Sequence, residues 1–569
     1  MVCSSSPVTT ARPYDAAVLG GGLAGLTAAL QLRQACPDAR IAVFERRSFP
    51  LPEAAHKVGE STVEVAAHYF ARTLGLTDHL RQAQLPKLGL RCFFASEDKA
   101  DLASRLEFGS NSFFPRSTWQ IDRGRFENFL AERCRGAGIE LRESTAVADL
   151  RVGTGGAHHG FEARGAAGAH HVEARWLIDA TGRSAVLRKH LNLEEESPHK
   201  INAVWFRIRG QLSIDEWCAH PEWCALNTGA TSRWFSTNHL MDRGYWVWVI
   251  PVASGATSFG IVADPRSHPL AEFNSFDRAM AWLRIHEPAC AAGIEAAGGE
   301  LLDFTALKHY SRRCRQLFSP NRWAISGDGG IFIDPLYSPG SDFIAFSNTF
   351  ITDLVRHDLS GKRVAHLTDL YNELMLGFAD NTFQVYQDQY DILGNPVVCP
   401  LKIIWDFATY WSFFASVFCH ERLCDVTMYA RLREDLARVA WLNAGMQTLF
   451  REWAALPRRF VPRAFIDIST IPYLRELNHS LTVPPPGDFG DYLRQRIERL
   501  AGVAAEIVDA ATAWEPGLAR PDGCSPVKPC SPELTNVLRL LAPVAPERPA
   551  EERHGPAQSN RMVSAPPTA

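Results

Sequence analysis

The sequence predicts an α/β fold: a parallel-sheet domain with an inserted antiparallel β-sheet layer, followed by a C-terminal, mostly helical region. Three observations carry that expectation. An apolar strand runs into the glycine-rich turn Gly20-Gly-Gly22-Leu-Ala-Gly25 and on into a helical pattern. Between about 200 and 265 apolar residues alternate with period two, and beyond 346 they recur at helical spacing. Strand, helix and strand in close succession imply parallel pairing, because parallel neighbours need a crossover between them.

Taken in order, residues 14–45 read as one βαβ unit, with a strand at Ala16–Leu19, a helix from Leu23 to about Leu32 and a strand at Ile41–Glu45. In the turn, Gly20 allows the sharp bend, Gly22 lets a phosphate approach the backbone, and Gly25 lets helix and strand pack closely. Phosphates then sit at the helix N-terminus, where unpaired amides and the helix dipole favour negative charge. Glu45, 25 residues after Gly20, is placed for a ribose hydroxyl. The unit is a Rossmann-like dinucleotide site, and residues 14–345 are assigned to the domain that it opens.

Residues 140–183 alternate short strand-like runs and end in Trp176-Leu-Ile-Asp179. Three period-two runs, Ala203–Ile208, Tyr245–Ile250 and Thr257–Val262, predict an antiparallel sheet laid on the first as a second layer. Residues 322–340 return to the first fold, and a helical region is expected over 346–514. Most of its aromatic run (Trp405, Phe407, Tyr410, Trp411, Phe413, Phe414) is assigned to core, as aromatics at helical spacing usually pack inside, with lining of a substrate channel as the alternative. Eleven prolines fall between Pro516 and Pro567, so 515–569 is expected to be disordered or loosely docked, and 1–13 is a short extension.

Composition narrows the function. A net charge of −4 leaves no basic excess to neutralise phosphates, which argues against nucleic acid as a partner. Thirteen cysteines without a CxxC pair predict reduced thiols in a cytoplasmic protein and no metal site. The first residues lack the apolar stretch of a secretory leader. The greasiest run, Ile403–Cys419, contains Asp406 and is shorter than the roughly 20 apolar residues of a membrane span. Fifteen Trp and thirty-two Phe point to a large core or to aromatic-lined space.

Three later segments specify the dinucleotide. Arg123-Gly-Arg-Phe126-Glu-Asn-Phe-Leu130, Asp179-Ala-Thr-Gly-Arg183 and Gly327-Asp328 follow the glycine turn in that order, the whole set spanning about 310 residues. With them the chain resembles the glutathione-reductase-type flavoproteins, in particular the branch of aromatic hydroxylases and flavin-dependent halogenases. The first segment is similar to that branch's RxxFDxxL helix, with Glu127 in place of Asp. The second matches its DATG strand end, and the third its GD motif, whose Asp contacts the flavin's ribityl chain. The resemblance implies an FAD site formed by Gly20, Gly22, Gly25, Glu45, Arg123, Gly327 and Asp328, with Pro335 and Gly340 beside the flavin ring. Only one dinucleotide fingerprint is present, so electrons are expected from a partner flavin reductase using NAD(P)H, or from NAD(P)H visiting the flavin site.

Three further features resemble halogenases of the tryptophan-halogenase type. Trp246-Val-Trp248-Val-Ile250-Pro251 matches their WxWxIP motif, and on a strand both indoles share one face. The resemblance implies an aromatic wall between flavin and substrate. Phe332-Ile-Asp-Pro335-Leu-Tyr-Ser338-Pro-Gly340 fits FxxPxxSxG, the family's loop over the flavin ring that holds halide, and backbone amides at a helix start suit an anion. Lys87 lies downstream of Val58-Gly59-Glu60-Ser61-Thr62, which is similar to the VGEAT segment, and stands where the family has its catalytic lysine. A lone lysine is far more often a solvated surface charge, so this assignment rests on the resemblance. The catalytic residues so implied are Lys87, Ser338, Trp246 and Trp248, with chloride or bromide as co-substrate. Reduced FAD, O₂ and halide give hypohalous acid; Lys87 either polarises it by a hydrogen bond or is itself halogenated, and an electron-rich carbon takes the halogen.

Two departures bear on halide and substrate. Pro339 has no amide N–H; where that amide is one of the halide donors, one lost charge-assisted hydrogen bond, roughly 1.5–3 kcal/mol, lowers halide affinity about tenfold or more. Tyr337 stands where tryptophan halogenases carry a glutamate, so free tryptophan is not the expected substrate. Phenols, pyrroles or other electron-rich rings, hydrophobic or carrier-protein-tethered, are. A flavin monooxygenase or dehydrogenase acting on a lipophilic metabolite would keep the FAD motifs but leave Lys87 and the tryptophan pair to chance. A non-catalytic flavin-binding scaffold explains less still.

Overall fold

The first apolar run becomes the strand Tyr14–Leu19, inside an eight-stranded sheet, and it pairs in parallel with Gly168–Asp179 on one side and Ile41–Phe44 on the other. This computed structural model describes residues 12–543 apart from 54–56, 167, 458–461, 463 and 522–532. Parallel strands Trp323–Ile325 and Glu140–Arg142 extend the sheet to either side. Central strands of such a sheet are covered on both faces, so they read as unbroken apolar runs such as Ala16–Leu19. Helix Leu23–Ala35 packs against helix Gly340–Leu359, which brings the chain's first and middle thirds together at the glycine turn.

A second sheet also has eight strands, in the order Leu301–Leu307, Asn202–Arg209, Ala256–Ala263, Tyr245–Val252, Ser236–Asp242, Gly89–Phe94, Leu106–Gly109 and Phe465–Asp467. The three foreseen runs form its middle and pair antiparallel. Two pairings are parallel: Ser236–Asp242 with Gly89–Phe94, and Leu106–Gly109 with Phe465–Asp467. The sequence reading missed Ser236–Asp242 because its buried positions include Ser236, Thr237, Asn238 and His239, which break apolar alternation. Phe465–Asp467 is a strand inside the range read as helical.

The remaining C-terminal elements are mainly helices, among them Ala365–Tyr386, Val398–Thr409, Arg433–Ala454 and Phe489–Trp514. A π-helical turn, Tyr410–Phe414, joins Val398–Thr409 to Ala415–Cys419. Among the described residues, no helix is long and apolar enough to cross a membrane. Within the proline-rich range, Thr535–Leu541 is a helix that buries Val537 and Leu541, and the amides of Glu533 and Leu534 donate to Glu506. The rest of that tail beyond 543, the stretch 522–532, and residues 1–11 of the expected extension lie outside the described residues.

Candidate active site

The glycine turn opens one wall of a cavity of about 310 Å³. Gly20 has a φ of +99°, and a Cβ there would lie 2.4 Å from the Ala180 carbonyl oxygen. A Cβ on Gly25 would lie 1.9 Å from the Gly20 carbonyl oxygen, so Gly25 lets the helix close on the turn and does not itself face the cavity. Gly22 differs: its nearest neighbour would be Lys57 Nζ at 3.7 Å, which leaves the backbone open to a ligand. No side chain caps the helix that starts at Leu23, so its first amides are free for phosphate. Glu45 accepts the Gly21 amide at 2.6 Å and the Arg47 amide at 2.9 Å.

Charge is concentrated at the same cavity. Arg123 donates to Glu127 at 2.7 Å and to the Val58 carbonyl at 2.5 Å, while its buried Nε has no partner. Lys57 pairs with the same carboxylate. Against the cost of burial, these two cations hold Glu127 below the usual carboxylate range. Asp328 lines the cavity, its carboxyl raised by burial and opposed by Arg123, Arg183 and Arg312. Asp179 is structural: its carboxylate accepts the Thr181 amide and hydroxyl and the Leu187 amide at 2.6–2.9 Å. A free helix start, an open glycine and an unpartnered guanidinium nitrogen fit the diphosphate and ribityl parts of FAD.

Trp246 and Trp248 face this cavity together, their ring centroids 5.7 Å apart. Trp248 lies over its cross-strand partner Gly260, where a Cβ would fall 2.2 Å from the ring. The Trp246 indole donates to Tyr390 Oη at 3.1 Å, and Tyr390 donates to Asp334 at 2.7 Å. Asp334 also accepts Tyr310 at 2.9 Å, His199 at 2.7 Å and the Leu336 amide at 2.9 Å. That buried network ties the tryptophan wall to the loop Phe332–Gly340. The loop is strained, with Tyr337 and Ser338 at φ of +65° and +61°. Ser338, Pro335 and Gly340 line the glycine-lined cavity, whereas Tyr337 lines a second one; Pro339 and Phe343 border both.

The second cavity, about 660 Å³, is walled by aromatic side chains that include Phe114, Phe346, Phe378 and Trp411. Lys87 reaches it from the short strand Leu85–Lys87, which pairs with Thr118–Gln120. Residues 60–62 lie along that partner strand too, through the Ser61–Gln120 bridge and the Thr62 amide to Trp119 at 2.9 Å. Register therefore delivers Lys87 to Ser61 Oγ and the Thr62 carbonyl, each at 2.7 Å. Burial lowers the Lys87 amine to about 7, against the pull of Glu64 and Asp342. Asp342 accepts the Ala66 amide at 2.9 Å and the Tyr410 hydroxyl at 2.6 Å, and burial pushes its carboxyl up to about 7. Glu64 accepts Asn478 Nδ2 at 3.0 Å and is likewise raised by burial.

The structure thus places Gly20, Gly22, Glu45, Arg123, Trp246, Trp248, Gly327, Asp328, Pro335, Ser338 and Gly340 around one cavity, and Lys87 on the wall of the other. The aromatic run is core and cavity wall at once: Trp405, Phe407, Trp411 and Phe413 are buried in the core, with Tyr410 and Phe414 packed against it. Phe407, Tyr410, Trp411, Phe413 and Phe414 line the second cavity, and of the six only Trp405 is core alone, its indole bonded to Asn443 at 2.9 Å. Helical spacing reveals that a face is shielded from water, but packed core and an enclosed cavity shield alike. Glu64 and Asp342 were missed, and Tyr410 was read only as one of the aromatic run. The readable sign was a carboxylate set among apolar residues, as in Gly340-Ser-Asp342-Phe-Ile-Ala-Phe346.

Comparison with known proteins agrees with the FAD-binding fold. The family model described as FAD binding domain matches residues 13–330. The chain is 24% identical over 454 residues to the flavin-dependent halogenase chlA of Dictyostelium discoideum, covering 73% of this chain and 72% of that one. It is 24% identical to a 1H-pyrrole-2-carbonyl peptidyl-carrier protein chlorinase of Pseudomonas fluorescens, over 58% of this chain and 72% of the other. The crystal structure of halogenase PltM shares the fold with a TM-score of 0.60 at 14% identity, covering 88% of this chain and 96% of its own. A flavoprotein/dehydrogenase from Cytophaga hutchinsonii does so with a TM-score of 0.57 at 21% identity, over 77% and 98%. With the family match covering more than half of its length, the chain belongs to the FAD-binding domain family, and its curated relatives include flavin-dependent halogenases.

Proposed function

We propose that this chain is a halogenase of electron-rich, hydrophobic aromatic rings, with FAD in the glycine-lined cavity and the ring in the aromatic one. The observation that carries the reading is Lys87, a buried amine on the wall of the aromatic cavity whose partner Ser61 lines the other. The glycine turn would hold the FAD pyrophosphate, Glu45 a ribose hydroxyl, Arg123 and Asp328 the ribityl stretch, and Pro335 and Gly340 the ring. When bound and reduced, FAD supplies the electrons with which O₂ and halide become hypohalous acid. A flavin reductase using NAD(P)H is the proposed electron source, since the chain carries one dinucleotide fingerprint.

The chain's own side chains do the rest. Trp246, Trp248 and Ile250 form an apolar wall of the flavin cavity. Ser338 and the amides that open helix Gly340–Leu359 offer donors to chloride or bromide, and Pro339 offers none. Lys87 holds its proton loosely because burial disfavours the cation, so its ammonium donates readily to the oxygen of hypohalous acid and makes the halogen more electrophilic. The apolar walls of the aromatic cavity would hold the ring close to Lys87. Its volume of about 660 Å³ is that of a site for a drug-sized molecule, well beyond a single ring. A hydrophobic phenol or pyrrole suits it, free or on a carrier-protein arm.

The test is direct. The purified chain, supplied with FAD, a flavin reductase, NADH and bromide, is screened against a panel of phenols and pyrroles. Products with the bromine isotope pattern by mass spectrometry are expected. Products that gain one oxygen and no halogen would overturn the reading in favour of a monooxygenase.

A further inference from the structure

Halogenation replaces a ring hydrogen, so the ring carbon must lose a proton, and an aromatic-walled cavity has few groups to take it. Four carboxylates line it: Glu64, Asp342, Glu373 and Asp406. Asp406 is committed elsewhere, accepting Lys402 at 2.6 Å, Gln447 at 2.7 Å and Tyr337 at 3.1 Å. The same contacts disqualify Tyr337, whose hydroxyl points its proton at Asp406. Glu373 is solvent-exposed. Glu64 and Asp342 remain, both buried and both coupled electrostatically to Lys87.

Asp342 is the better placed of the two. It sits in the first turn of helix Gly340–Leu359, between Pro339 and Phe343, the residues that border both cavities and so mark where hypohalous acid would enter. Each of its oxygens accepts one hydrogen bond, from the Ala66 amide and from Tyr410, which leaves lone pairs for a further proton. Tyr410 Oη in turn accepts the Val65 amide at 3.1 Å, so its own proton is directed at Asp342 and the carboxylate is held in one orientation.

Resting on the halogenase reading, we propose that Asp342 is the base that accepts the ring proton, with Tyr410 as its positioning residue. The ring's π pair forms the carbon–halogen bond, and the halogen–oxygen bond breaks with its electrons to oxygen. That oxygen takes a proton from the Lys87 ammonium and leaves as water. The C–H bond then breaks, its electrons restoring the ring and its proton passing to Asp342. Return of that proton to the Lys87 amine resets the cavity, so ring C–H and hypohalous acid become ring C–halogen and water. A carboxylate raised by burial suits the task, since it gives the proton back near neutrality.

The experiment compares bromination of resorcinol and ring-deuterated resorcinol by the full chain with FAD, flavin reductase and bromide. Wild type is expected to brominate both at equal rates. In Asp342→Asn the rate should fall roughly 100-fold, and the deuterated ring should react more slowly, because C–H cleavage has become limiting. Quenching of flavin fluorescence on binding should be unchanged, and Asp342→Glu should recover part of the rate. An Asp342→Asn enzyme with wild-type rate, or with a loss that lacks an isotope effect, overturns the assignment. If that variant does not fold, Tyr410→Phe decides by the same comparison: an isotope effect supports the proposal and its absence overturns it. No bromination by wild type of resorcinol or of any panel member would sink the halogenase reading, and this inference with it.

Discussion

Lys87 donates a 2.7 Å hydrogen bond to Ser61 across the partition between the two cavities, the lysine lining the aromatic one and the serine the glycine-lined one. Ser61 is held in turn by Thr237 at 3.0 Å, on a strand of the second sheet.

Lys87→Met keeps the volume of the side chain and removes its charge. Bromination should disappear while FAD still quenches on binding. Stability should change with a definite sign. The amine moves from 10.5 in the unfolded chain to about 7 in the folded one. The burial cost is therefore full below about 7, on the order of 5 kcal/mol before compensation by hydrogen bonds, and it fades as pH rises toward 10.5. Wild type should gain stability against urea between about pH 7 and about pH 9, and Lys87→Met should gain less.

Turnover should show a narrow maximum close to neutral pH. Loss of the Lys87 proton removes activity as pH rises through about 7, and protonation of Asp342 removes it as pH falls through about 7. Groups that face the pair are Glu64, Tyr410 and His239; burial keeps Tyr410 protonated and, with a value of about 4, His239 neutral. In Asp342→Asn the acid limb should vanish and the alkaline limb persist. A wild-type profile of kcat that stays flat across neutrality would contradict both assignments.

Two glycines of the turn should fail differently. Gly20→Ala drives a Cβ to 2.4 Å from a carbonyl oxygen at positive φ, so it should cost fold stability and FAD binding together. Gly22→Ala meets only Lys57 Nζ at 3.7 Å, so thermal unfolding of the FAD-free chain should move by about 1 kcal/mol or less. FAD affinity, read by flavin fluorescence, should nonetheless fall, because the new methyl occupies the diphosphate's approach.

Pro339→Ala restores an amide N–H at the start of helix Gly340–Leu359. The KM for bromide should drop about tenfold while kcat changes little, in line with one added hydrogen bond to an anion. An unchanged bromide KM would place the halide away from this loop.

The sequence was most legible where function is local. Gly20, Gly22 and Gly25, Glu45 at the end of the next strand, and the tryptophan pair on one strand face could all be read from spacing. It was least legible where buried polar residues form regular structure. Ser236–Asp242 lacks apolar alternation because its side chains are committed to hydrogen bonds, as with Asn238 Nδ2 to the Arg233 carbonyl at 2.9 Å. Asp342 and Glu64 gave no periodic signature at all, and their meaning comes from what packs against them.

The sequence by itself determined the dinucleotide turn, the parallel sheet around it and the order of the flavin motifs, because each depends on residues a few positions apart with known strand and helix periods. Only the tertiary structure decided that the glycine-lined and aromatic cavities lie side by side among the described residues, which side chains face each, and that Lys87, Ser61, Asp342 and Tyr410 converge at their boundary. The physical reason is reach. Periodicity states which way a side chain points from its own element, whereas what it meets there depends on elements as far apart as residues 61, 87, 342 and 410.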